Sequence, residues 1–94
     1  MDEAVFSYLD YTALEKSLSP RTLSAYRLDL EQAACWFEKA GSSISGAGRE
    51  EIAGYMRHLS ASGLSSRSIR RKLSSLRGFY RFLEGEGLRA DDPS

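Results

Sequence analysis

A chain of 94 residues, with 13 basic and 13 acidic side chains and a formal net charge of zero, is sized for one small domain. Its neutrality argues against strong non-specific nucleic-acid binding by the surface as a whole. Hydrophobic residues at 41% and charged residues at 28% are ordinary for a soluble globular protein, and no apolar run approaches the length of a membrane span.

The opening, MDEAVFSYLD, is acidic and lacks the basic segment of a secretory leader. A single cysteine, Cys35, and a single histidine, His58, can build neither an internal disulfide nor a zinc site. A reducing, cytoplasmic setting is therefore expected, with no metal and no other cofactor. Cys35 reads as a small helical residue rather than a reactive thiol.

Prolines occur only at Pro20 and Pro93, there is one valine, and no alternating apolar run is bounded by turn residues. The chain reads as all-α, in four helices. The first is expected from about Glu3 to Lys16, with Val5, Phe6, Leu9 and Ala13 inward at spacings of three and four. The second starts at LSPRT, where Ser19 is a natural N-cap and Pro20 falls at the first helical position. Leu23, Tyr26, Leu30, Ala33, Ala34 and Phe37 share one face, and Gly41 closes the helix. Leu28 and Trp36 lie off that stripe, which predicts a central helix that is apolar on two sides.

After the Gly-rich connection SSISGAG, a third helix is expected from about Arg49 to Ser60, with Ile52, Tyr55, Met56 and Leu59 inward. Gly48 is a weak N-cap, and Gly54 weakens the helix by about 1 kcal/mol relative to alanine if exposed. The fourth helix is expected from an N-cap at Ser65 to about Glu84, stopped by GEG. LRADDPS then reads as a segment leading out of the domain.

The fourth helix carries the informative asymmetry. Residues 64–83 hold six Arg or Lys and no acid, whereas the first fifteen residues hold four acids and no base. On a helical wheel Ile69, Leu73, Leu76, Tyr80 and Leu83 cluster within roughly 80° as a core face. Arg67, Arg70, Arg71, Arg77 and Arg81 lie opposite with Ser74 among them, and Lys72 sits near the edge of the apolar stripe.

Like charges in a row destabilise an isolated helix, and no Asp or Glu at i±4 relieves this one. Arginine predominates, which suits bidentate contact with phosphate or guanine. Small hydroxyls, Ser66 and Ser74 included, can donate to phosphate without blocking close approach. Arg21 and Thr22, in the first turn of the second helix, form another candidate patch. Arg21 is unfavourable for the helix dipole there unless an anion docks. The candidate duplex-DNA-binding residues are therefore Arg21, Thr22, Ser66, Arg67, Arg70, Arg71, Ser74 and Arg77.

None of the five tyrosines reads as catalytic. Tyr26, Tyr55 and Tyr80 lie in apolar stripes, and phosphoryl transfer to a phenol needs several preorganised cations around one phosphate. The chain is expected to have no chemistry of its own. The other class of function open to it is a helical protein-interaction domain that presents its basic face to an acidic partner.

LSPRTLSAYRLDLEQAACWFEKAG followed by LSSRSIRRKLSSLRGFYRFLEGEGLRADDPS resembles the N-terminal core-binding domain of tyrosine recombinases, the Xer and phage-integrase group. The similarity rests on Leu18-Ser19-Pro20-Arg21-Thr22 with Tyr26, Asp29 and Leu30. It continues through Leu64-Ser65 with Ile69, Lys72, Leu73, Leu76, Phe79 and Leu83, and ends at Asp92-Pro93.

What the resemblance implies is a compact four-helix SAM-like bundle of orthogonally packed helices over residues 1–94. Its second and fourth helices would meet the major groove of a recombination half-site. The implied partners are double-stranded DNA, a catalytic domain of the same polypeptide that is absent from this chain, and other recombinase protomers on DNA. No membrane partner is implied, and the isolated domain would be monomeric. Gly48 departs from the Thr or Ser cap of many members.

Overall fold

The computed structural model describes residues 3–90 and Pro93. The chain forms α1 (Glu3–Glu15), α2 (Pro20–Lys39), α3 (Arg49–Ala61) and α4 (Ser66–Gly85), with no strand among the described residues. Ser19 and Ser65 hold extended backbone angles and cap the two long helices. Ser19 Oγ accepts from the Thr22 N–H and Ser65 Oγ from the Ser68 N–H, both at 3.2 Å.

The same two helices end alike. Gly41 and Gly87 take positive φ, and the following N–H groups turn back, Ser42 onto Phe37 O at 2.8 Å and Leu88 onto Leu83 O at 2.9 Å. Carbonyls that would otherwise be orphaned are satisfied without a side chain. At the start of α3 Gly48 has no side chain to offer. Glu51 compensates from the other direction, its Oε1 accepting from the Gly48 N–H at 3.2 Å.

The two long helices form the centre: α2 and α4 each pack against the other three, while α1 and α3 make no mutual contact among the described residues. Their shared core contains Leu30, Phe37, Leu76, Phe79, Tyr80 and Leu83, all buried to within 1% exposure. Each large apolar side chain buried in this way contributes about 1.5–3 kcal/mol. α3 adds Ile52, Tyr55 and Leu59, and the α2–α3 connection adds Ile44 and Ala47. The Tyr80 hydroxyl donates to Ile44 O at 2.7 Å, which ties that connection to α4.

Several expected positions differ. α1 buries Val5, Tyr8 and Thr12 rather than Phe6 and Ala13, which are exposed, and Leu9 is half-buried. The helix is rotated because the Tyr8 ring reaches across α4 at Gly78. An added Cβ there would collide with the Tyr8 hydroxyl, so the absence of a side chain on α4 sets the register of α1. Thr12 can be buried because its own hydroxyl donates to Leu9 O at 2.9 Å.

Leu28, expected on a second apolar face of α2, is 51% exposed. Trp36 is half-buried against Phe37 and Tyr55, with its ring beside Gly54. Lys72, expected at the edge of the stripe, is buried. The tail does not simply lead away: Arg89 donates to Ser45 O at 3.0 Å and lies over the Tyr80 ring, and Pro93 is buried. Asp92 lies outside the described residues.

Candidate nucleic-acid interface

The outward face of α4 carries Arg67, Arg70, Arg71, Ser74, Arg77 and Arg81, all exposed, and Ser66 stands exposed at its start. At 100° per residue the five arginines fall within about 120°, and from Arg67 to Arg81 the row runs about 21 Å along the axis. Arg67, Arg70, Arg77 and Arg81 make no ion pair among the described residues. Their free state is the structural counterpart of the acid-free sequence.

Arg71 departs from the expectation of a free guanidinium. Its Nε and Nη2 donate to Asp29 Oδ2 and Oδ1 at 3.2 and 2.9 Å. Asp29 is buried on α2 and also accepts from Lys72 Nζ at 3.0 Å and Ser75 Oγ at 3.0 Å, while Lys72 donates further to Gln32 Oε1. A lone buried carboxylate would be costly, and this one is matched by two cations and a hydroxyl. Lys72 and Ser75 are drawn inward to serve it, which is why the buried face of α4 includes them. Half of the Arg71 side chain stays exposed, and its Nη1 edge is left for other acceptors.

The α2 patch divides similarly. Arg21 is exposed and unpaired among the described residues. Thr22 is half-buried, and its hydroxyl lies 3.0 Å from Ser19 Oγ within the helix cap. Thr22 therefore serves the cap first. Asp29 bonds Arg71 and Ser75, and Tyr26 lines a cleft with Ser74 and Arg77, so these contacts bring the first half of α2 to the middle of α4.

That cleft, about 310 Å³, is lined by Tyr8, Lys16, Leu18, Tyr26, Ser74, Arg77, Gly78 and Arg81. Lys16, Tyr8 and Tyr26 escaped sequence reasoning because they come from different elements. The one available hint was Lys16, an isolated cation just after an acidic helix. Among the described residues no group of three or more His, Cys, Asp or Glu could hold a metal, and no helix is long and apolar enough to cross a membrane. His58 is exposed, tilted against the Trp36 ring and stacked with that of Tyr55.

The class these observations define is a small all-α domain of SAM-like form with a cationic face on its last helix. Residues 5–87 match the family described as phage integrase, N-terminal SAM-like domain, and the chain belongs to that family. It is 37% identical over 96% of its length to tyrosine recombinase XerD of Rhizobium meliloti, and 41% identical over 94% to tyrosine recombinase XerD of Caulobacter vibrioides. To tyrosine recombinase XerC of Pseudomonas fluorescens it is 37% identical over its whole length. The chain spans 29%, 29% and 32% of those three proteins. The family match is to the N-terminal domain alone. No solved structure matches the chain.

Proposed function

We propose that this chain binds duplex DNA through the exposed face of α4, with the first turn of α2 beside it, and serves as the half-site-clamping part of a tyrosine recombinase. The observation that carries the reading is the row of unpaired guanidiniums, Arg67, Arg70 and Arg77, interspersed with the exposed hydroxyls of Ser66 and Ser74. A major groove about 12 Å wide admits one helix, and the N-terminal residues of a recognition helix reach base edges. Arg67, Arg70 and the free edge of Arg71 occupy that half of α4. Arg21, Thr22 and the α4 N-terminus supply contacts to the flanking phosphates.

The similarity to tyrosine recombinases XerD and XerC supports the same reading. In a polypeptide of their length, this domain would hold one side of the duplex while a catalytic domain acted on the other, with further protomers on the same DNA. The work would be cytoplasmic.

The test is duplex affinity, measured by fluorescence anisotropy across a salt series. Affinity should fall with a log–log slope of about −0.9 per phosphate neutralised. Arg67→Ala and Arg70→Ala should each cost about 1–3 kcal/mol of binding if bidentate to guanine, with unchanged melting temperatures. Full duplex affinity in both variants would remove the groove-reading role and favour an acidic protein partner for this face.

A further inference from the structure

The geometry points to the cleft among α1, α2 and α4 as a composite seat for one backbone phosphodiester of the bound duplex, anchoring position rather than reading sequence. This rests on the proposed DNA-binding reading and extends it to residues outside the groove-reading half of α4.

Three cations line the cleft, Lys16 after α1 and Arg77 and Arg81 from the C-terminal half of α4, and none is ion-paired among the described residues. Three hydroxyl-bearing residues, Tyr26, Ser74 and the largely buried Tyr8, line it too. Gly78 forms part of the wall and leaves room for the Tyr8 ring, whose phenol lies close enough to feel the Arg81 charge. Among the described residues no carboxylate lines this cleft; Glu86 lines an adjoining recess shared with Lys16, Arg81 and Tyr8. Convergent cations and neutral hydroxyl donors in a recess suit a singly charged tetrahedral anion with several oxygen acceptors.

Position along the helix favours the DNA backbone as the source of that anion. Arg81 lies about 21 Å from Arg67, farther than one groove width, so a helix with its N-terminal half at the bases carries its C-terminal cations toward a phosphate strand.

The experiment uses the 94-residue chain and two unrelated duplexes of about 30 base pairs, starting near 50 mM salt. Lys16→Gln and Arg81→Gln should each weaken binding about three- to tenfold, equally on both duplexes. Each should also flatten the log–log salt slope, by no more than the roughly 0.9 that one phosphate contributes. Lys39→Gln, at the far end of α2, should change neither, and Lys16→Arg should restore most of the affinity.

If the cleft variants bind like the unaltered chain while Arg67→Ala weakens, the seat is disproved and groove binding stands. An equal loss in Lys39→Gln reduces the effect to general charge and also disproves the seat. No duplex binding by the unaltered chain overturns both readings. Inorganic phosphate provides the last arm, followed by amide chemical shifts. Saturable binding at the cleft, with duplex affinity unchanged in both variants, would assign it to a free phosphate instead.

Discussion

Asp29 concentrates more of the domain's electrostatics than any other described residue. It is buried, yet Arg71, Lys72 and Ser75 all donate to it. Asp29→Ala would strand the buried Lys72 ammonium, and the expected cost is about 3–5 kcal/mol in urea unfolding. Arg71→Ala leaves Asp29 with Lys72 and Ser75 and removes a half-exposed partner, so the expected cost is only about 1 kcal/mol. That is still more than the free surface arginine read from sequence would lose. A larger penalty for Arg71→Ala than for Asp29→Ala would show that the network is ordered differently.

Tyr8 and Tyr55 make a second prediction at this scale. Burial pushes both phenols up to about 12 from 10.0, with Tyr26 and then Tyr11 adding to the shift of Tyr8 and Asp29 to that of Tyr55. A folded-state value above the unfolded one leaves stability intact below pH 10 and withdraws it as pH climbs from 10 toward 12. Melting temperatures should fall across that window, and Tyr8→Phe or Tyr55→Phe should each make the fall shallower.

Among the elements, the helix ends were the most legible part of the sequence and the α1 register the least. Ser19, Pro20, Gly41 and Ser65 act on their own or neighbouring backbone, so their roles are encoded locally. The inward face of α1 depends instead on what α4 presents. Phe6 and Ala13 fit an apolar spacing, but Gly78 admits Tyr8, and Thr12 satisfies its hydroxyl within the helix.

The exposed arginine row was legible in outline, since an acid-free run of arginines is a property of one segment. The partner of Arg71 was not, because Asp29 lies 42 residues away in sequence. An acid next to Leu30 of the α2 stripe and a lysine beside the α4 stripe were its only local traces. Two of the helical glycines, Gly54 and Gly78, separate the local from the nonlocal in one measurement. Gly54→Ala meets only ordinary contacts, 3.4 Å from the Trp36 ring, and should stabilise by about 0.5–1 kcal/mol through helix propensity. Gly78→Ala meets the Tyr8 hydroxyl and should destabilise by about 1–3 kcal/mol. Both are read from thermal melts.

Across the whole molecule, a radius of gyration of 12.6 Å and extents of 35 × 29 × 19 Å describe a body little longer than α4 itself, about 30 Å, and α1 and α3 each touch both central helices. The tail joins them through Arg89, which donates to Ser45 O and covers the Tyr80 ring. Arg89→Ala should lower stability by about 1 kcal/mol and leave duplex affinity unchanged, since this contact lies away from the arginine row. Thermal melts and the anisotropy titration check the two halves of that expectation.

The buried Asp29 hub also governs spacing. Bonds from one carboxylate to Arg71, Lys72 and Ser75 fasten α2 to α4 midway along both, so the charged groups on the two helices keep a fixed span, like the jaws of a locked caliper. On the proposed DNA-binding reading, a duplex would have to bring its strands to that span. The domain would then gauge local helix geometry, favouring sequences whose width or twist already match even at base pairs it never touches.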